Sequence, residues 1–207
     1  MPPRKEPPRA WQRMLSGRRL DLLDPSPLDV EIEDIAHGLA RVARWNGQTR
    51  GPHIFSVAQH SVLVEHIAGH LDPNISIRTR AIALLHDAPE YVIGDIISPF
   101  KTVVGETYKD VESRLQAAIH LRFALPAKPT QMALKLTKAA DRAAAFIEAT
   151  HLAGFTVEEA DKYFGRPDMS LRDIEHWLQP ISSQQAEDIF LTRFRALEAE
   201  FSNEADK

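Results

Sequence analysis

His86 is followed at once by Asp87, and the pair comes directly after the apolar stretch Ala81–Leu85. A charged carboxylate in so apolar a setting is costly unless it is paired or bound to a metal. Glu90 stands three residues past Asp87 and four past His86, a spacing that places the three side chains together on a helix. Asp95 follows just after Gly94. Two further groups stand out: His60, near the apolar stripe of another predicted helix, and Asp141, which interrupts the string AADRAAAFIEA. Each alone has an ordinary explanation. His60 would be a hydrogen-bonded core residue, and Asp141 would pair with Arg142 or Lys138. Together, His60, His86, Asp87 and Asp141 give two imidazoles and two carboxylates on three predicted helices. That donor set suits one divalent ion, with Mn, Co, Fe, Ni, Zn and Mg all acceptable, and leaves positions for water and a substrate oxygen. Such an ion acidifies water and offsets charge on a phosphoryl oxygen, so the expected chemistry is hydrolysis.

These residues need helices to hold them. Ile32, Ile35, Leu39 and Val42 recur at helical steps, with Ser26 and Pro27 as a start. Ser56 and Gln59 have capping-box spacing and open a helix through Val57, Val64 and Ile67 to about Leu71, ended by Asp72-Pro73-Asn74. The next predicted helix runs from near Ile77 to a stop at Gly94 and carries His86 and Asp87 within it. Ser98 and Pro99 fall in a loop. Helices follow over about 105–124 and about Thr130–Ala153, then a polar loop around Arg166 and Pro167. A short helix capped by Ser170 and Asp173 and a last one through Ala186–Phe201 complete the pattern. There is no alternating strand pattern of useful length, no repeat, and no P-loop or dinucleotide-binding glycine motif. The expected fold class is an all-α helical bundle spanning 29–203.

Composition narrows the function further. The chain has 207 residues, of which 43% are hydrophobic and 26% charged, the mixture of an ordinary globular domain. It has no cysteine, which excludes disulfides, thiolate nucleophiles and cysteine-ligated metal centres. A net charge of −4 gives no general attraction to nucleic acid or an anionic membrane. Apolar runs as short as Ala81–Leu85 fall far below the ~20 residues of a membrane span. The expected location is the cytoplasm. Residues 1–28 form a separate arm with six of the 14 prolines and the basic residues Arg4, Lys5, Arg9, Arg13, Arg18 and Arg19. It reads as a surface-draped arm rather than a nucleic-acid contact, partly docked through Trp11, Leu15, Leu20, Leu22 and Leu23.

The ordered strings QHS, HDAPEYVIGDIISPFK and KAADRAAAF resemble the HD-domain metal-dependent phosphohydrolases. Within that superfamily, HD followed by Glu three residues on and then by GD resembles the bacterial 5′-deoxynucleotidase branch. The resemblance covers about residues 30–155. It implies an HD-domain helical bundle with His60, His86, Asp87 and Asp141 as metal ligands. It makes Glu90 the acid–base residue for the attacking water, with Asp95 assisting from the following loop. In that branch an Arg-Trp pair lies beside the substrate's phosphate and sugar, and Arg44-Trp45 precede His60 by a similar distance. A guanidinium can grip phosphate bidentately and an indole can pack a sugar or base. The alternative is that Arg44 closes a helix favourably and Trp45 packs on the core. The string NGQTRGPHIFS that follows departs from the nucleotidase pattern. The implied reaction converts a small phosphorylated substrate, a nucleoside (deoxy) 5′-monophosphate, to nucleoside and phosphate, with a homodimer typical of the branch. The alternatives are hydrolysis of a nucleoside triphosphate or guanosine polyphosphate, and a non-catalytic metal-containing sensory or binding module.

Overall fold

A computed structural model of the chain describes residues 10–97, 103, 105–168 and 174–205. Residues 1–9 of the predicted arm, Ser98, Pro99, and the Ser170–Asp173 cap lie outside the described residues. The described fold is an all-α bundle, as the periodicity predicts. Its helices are α1 (Ile32–Leu39), α2 (Val57–Leu71), α3 (Ile77–Leu84), α4 (Glu90–Ile93), α5 (Glu106–Arg122), α6 (Gln131–His151), α7 (Val157–Phe164) and α8 (Ser183–Ala205). None of the described helices is long and apolar enough to cross a membrane.

α2 is the central element. It packs on α3, α6 and α8, and its first nine residues are all buried, so no face is left for solvent. The helix starts where Ser56 Oγ accepts the Gln59 N–H. Only half of the expected capping box forms. The Gln59 side chain turns instead to the Gln179 carbonyl, at 2.9 Å, and ties α2 to the segment before α8. Farther along, buried Glu65 receives two 2.8 Å hydrogen bonds from the Arg193 guanidinium of α8. Two apolar clusters flank α2. One joins Val57, Ala58 and Val62 to α1, α3, α5 and α8, and the other joins Leu63, Val64 and Ile67 to α6 and α7.

The structure corrects several expected boundaries. Ser26 caps a separate 3-10 turn, Pro27–Asp29, and α1 begins only after extended Val30 and Glu31. α3 ends at Leu84, so His86 and Asp87 stand in a run of turns rather than within a helix. Pro89 is the cause. It has no N–H for the Leu85 carbonyl and its ring crowds that position. The Leu85 carbonyl is satisfied instead by the Ala88 N–H and by Gln116 Nε2 of α5, each at 3.0 Å. α7, opened by a Thr156–Glu159 capping box, occupies sequence between α6 and the predicted polar loop.

The arm contributes a small antiparallel hairpin, Trp11–Arg13 with Arg19–Asp21, where no strand was expected. Three-residue strands are too short to show alternation. Leu20 is fully buried in the first cluster, whereas Leu15 and Leu23 are exposed. Ser16 clamps the hairpin to α1 through two hydrogen bonds to Asp34.

α1 and α4 touch at Gly38. A Cβ there would fall 2.8 Å from both Cβ and the carbonyl oxygen of Tyr91, the neighbour of Glu90. Gly38→Ala is therefore expected to lower stability by about 1–3 kcal/mol, as overpacking does, through a lower urea midpoint at unchanged slope.

Candidate metal centre

Three separate elements bring the candidate ligands together. His60 lies one turn into α2 and is fully buried. The turn after α3 supplies His86 and Asp87, and the middle of α6 supplies Asp141. Donor atoms of His60, His86 and Asp141 all lie within 4.8 Å of one another. His60 Nε2 is 3.5 Å from Asp141 Oδ1 and 3.5 Å from Asp87 Oδ2. His86 Nε2 is 3.3 Å from Asp87 Oδ2 and 4.0 Å from Asp141 Oδ1. Ligands on one ion with bonds of about 2.1 Å would be separated by ~3.0 Å at a right angle and ~3.4 Å at a tetrahedral angle. The observed spacing is close to that range. Asp141 Oδ2 accepts from Lys138 at 2.9 Å, the ordinary pairing expected for it, while its Oδ1 faces the imidazoles.

The other ring nitrogens decide what the Nε2 atoms are. His86 Nδ1 is 2.9 Å from the Ala83 carbonyl, which can only accept, so Nδ1 carries the proton. His60 Nδ1 is 2.5 Å from Glu148 Oε1, again an acceptor. Both Nε2 atoms are buried without a hydrogen-bond partner. In neutral imidazoles they would direct lone pairs at carboxylate oxygens, a repulsive arrangement unless a cation lies between. Orientation of a histidine by a carboxylate or carbonyl at its other nitrogen is the usual support of a metal ligand. The residues therefore fit a divalent ion.

Electrostatics point the same way. Burial and Arg44 disfavour a charged His60, yet Glu148, Asp141 and Asp87 outweigh them and hold its pKa well above the ordinary imidazole value. Burial opposes ionisation of Asp87, but His86 and His60 hold it well below the usual carboxylate range. Asp141 is lowered in the same way against its burial, chiefly by His60 and His86. The cluster thus gathers positive charge, and a proton on His60 supplies only part of what a divalent ion would.

Glu90 is 2% exposed and opens α4, its N–H bonded to the Asp87 carbonyl at 3.0 Å. Gly94, with φ of 76°, ends that helix and turns the chain toward Asp95. Asp95 Oδ2 then accepts from Arg44 Nη1 at 3.0 Å. Arg44 and Trp45 begin a 3-10 turn, so Arg44 does not close a helix. The Arg44 N–H bonds the Phe55 carbonyl and the Val57 N–H bonds the Val42 carbonyl, which fixes this strap to the start of α2. Trp45 has a left-handed backbone (φ 57°), a conformation that concentrates at functional sites. Its ring packs on Phe155 and Phe164, 5.6 and 5.8 Å away, so the core-packing alternative holds for the ring face.

Sequence reasoning missed Glu148. It is fully buried on α6, seven residues and two turns beyond Asp141, and bonds both His60 Nδ1 and Trp45 Nε1. Burial opposes its charge, but His60 and Arg44 keep its carboxyl below the ordinary value. Burial likewise opposes the charge on Arg44, and Glu148, Asp95, Asp87 and Glu90 more than compensate, raising its pKa. Five carboxylates therefore surround one partly buried guanidinium and two imidazoles.

No family model matches the chain. A Rhodobacter capsulatus protein, "Uncharacterized protein RCAP_rcc00048", is 59% identical over 160 residues, covering 77% of this chain and 82% of that protein. At that identity and coverage, the chain belongs to the same family as the Rhodobacter capsulatus protein.

Proposed function

We propose that this protein is an HD-domain metal-dependent phosphohydrolase that cleaves a nucleoside 5′-monophosphate, ribo or deoxy, in the cytoplasm. The observation that carries the reading is the pair of buried, unpartnered Nε2 atoms facing Asp87 and Asp141, each imidazole oriented from behind. One divalent ion held by His60, His86, Asp87 and Asp141 would, when bound, acidify water and offset phosphoryl charge.

The chain's own groups supply the rest. Glu90, buried beside the ligand turn, takes the proton of the attacking water and returns it to the departing 5′-oxygen. Arg44 binds phosphate oxygens with the N–H donors that Asp95 leaves to it, since a guanidinium carries five. Asp95 holds Arg44 in place at 3.0 Å. Trp45, backed by Phe155 and Phe164, offers an indole edge to the sugar.

Charge favours a monophosphate over a polyphosphate. Arg44 faces Asp87, Asp95 and Glu148, and Lys138 pairs with Asp141, so these two cations are already engaged by carboxylates. A triphosphate or guanosine polyphosphate would bring more negative charge than they can offset. Phosphate release should be measured on a panel of ribo- and deoxynucleoside 5′-monophosphates with each of Mn, Co, Fe, Ni, Zn and Mg. Metal-dependent release of one phosphate is expected. Bound metal with release only from polyphosphates would reassign the substrate, and bound metal with no turnover on any phosphate ester would leave a sensory module.

A further inference from the structure

A single carboxylate joins the two halves of the site. Glu148 Oε1 accepts from His60 Nδ1 at 2.5 Å. Its Oε2 accepts from Trp45 Nε1 at 2.9 Å and lies 3.5 Å from Arg44 Nε. Two hydrogen-bond donors from two elements, one on each oxygen, and the charge of Arg44 thus act on the same carboxylate. The group is inaccessible to solvent, and water cannot take over any of these contacts. The strap carrying Arg44 and Trp45 is pinned at Phe55 and Val57 beside α2, which leaves it little freedom to follow a different carboxylate position.

We propose that Glu148 is a positioning residue that couples metal capture at His60 to the setting of Arg44 and Trp45. The inference rests on the phosphohydrolase reading for the roles of those two residues. When the His60 Nε2 lone pair is drawn onto a cation, its Nδ1–H becomes a stronger donor than in the free neutral imidazole, and the ring is fixed against Glu148 Oε1. The same carboxylate orients the indole N–H and faces the guanidinium, so metal occupancy tightens the strap. By linkage, a phosphorylated ligand held by the strap must tighten metal binding by the same factor.

The test uses the full chain with Trp11→Phe and Trp177→Phe, which leaves Trp45 as its one tryptophan. Zinc alone is the probe, because a closed-shell ion does not itself quench indole emission. Trp45 emission is expected to change with the same midpoint as zinc uptake measured by calorimetry. Adding Glu148→Gln should weaken zinc binding by about 10- to 100-fold, as loss of an outer-shell partner does. At full occupancy the emission change should then be absent, and KM for a cleaved ester should rise more than kcat falls. A purely structural role would lower the melting temperature while leaving the saturated emission response and KM intact. The proposal is overturned if Trp45 does not respond to zinc in the background protein, or if the Glu148→Gln response persists at saturation. The background measurement decides even where Glu148→Gln does not fold. Neither emission readout needs turnover, so a protein that cleaves no phosphate ester would refute the enzymatic reading separately.

Discussion

Glu90→Gln is expected to take up metal as the wild-type protein does and to lose about 10²- to 10⁴-fold in kcat, the usual worth of a general acid–base group. The glutamine keeps the size and hydrogen-bonding reach of the side chain at the start of α4, which is 2% exposed and cannot easily admit a rearranged one. It cannot accept the water's proton. A group that serves the water rather than the ion can be lost with metal stoichiometry unchanged. Calorimetric metal titration paired with single-turnover phosphate release checks both halves. Turnover retained within a few-fold would remove Glu90 from the proton-transfer role, and joint loss of metal and turnover would make it a ligand.

Asp141→Asn should have the largest effect on the metal itself. The wild-type carboxylate places Oδ1 3.5 Å from His60 Nε2 and anchors Oδ2 on Lys138. Asparagine preserves the shape, removes the charge and puts an amide where one oxygen stood. Affinity should fall by more than about 100-fold, beyond what loss of an outer-shell partner costs. Thermal unfolding gives a second reading. Metal at 100 times its Kd should stabilise the wild-type protein by about 2.7 kcal/mol. For a chain of this size that corresponds to roughly 5–10 °C in Tm. The Asp141→Asn protein should show almost none of that shift at the same metal concentration. An undiminished shift would place the ion elsewhere.

The candidate ligands are legible in the sequence because each violates its surroundings. The pair His86-Asp87 follows five apolar residues and Asp141 breaks a run of alanines, and the fold brings both carboxylates to His60. Helical periodicity likewise reveals α2, α5, α6 and α8. The turn carrying His86 and Asp87 reads as helix because their spacing to Glu90 suits one, while Pro89 acts four residues back on the Leu85 carbonyl. Glu148 does carry a signal: it is another carboxylate in the same apolar string, on the face of Asp141. Its partners leave none, because Trp45 and His60 meet it only through tertiary packing. The hairpin has no periodic trace, since each strand contributes only three residues.

Leu20 has a consequence for how the chain is made. It shares its apolar cluster with Ala186, Phe190, Phe194, Leu197 and Phe201 of α8. On a translating ribosome, residue 20 emerges long before residue 201 has been added, so this cluster cannot close during most of synthesis. The elements around α2, α6 and α7 become available earlier and can associate first. Such sequence-distant closure slows folding and exposes apolar surface meanwhile. α8 contributes no candidate ligand, yet its arrival is the step that seals the half of the molecule on which α1 and α4 rest.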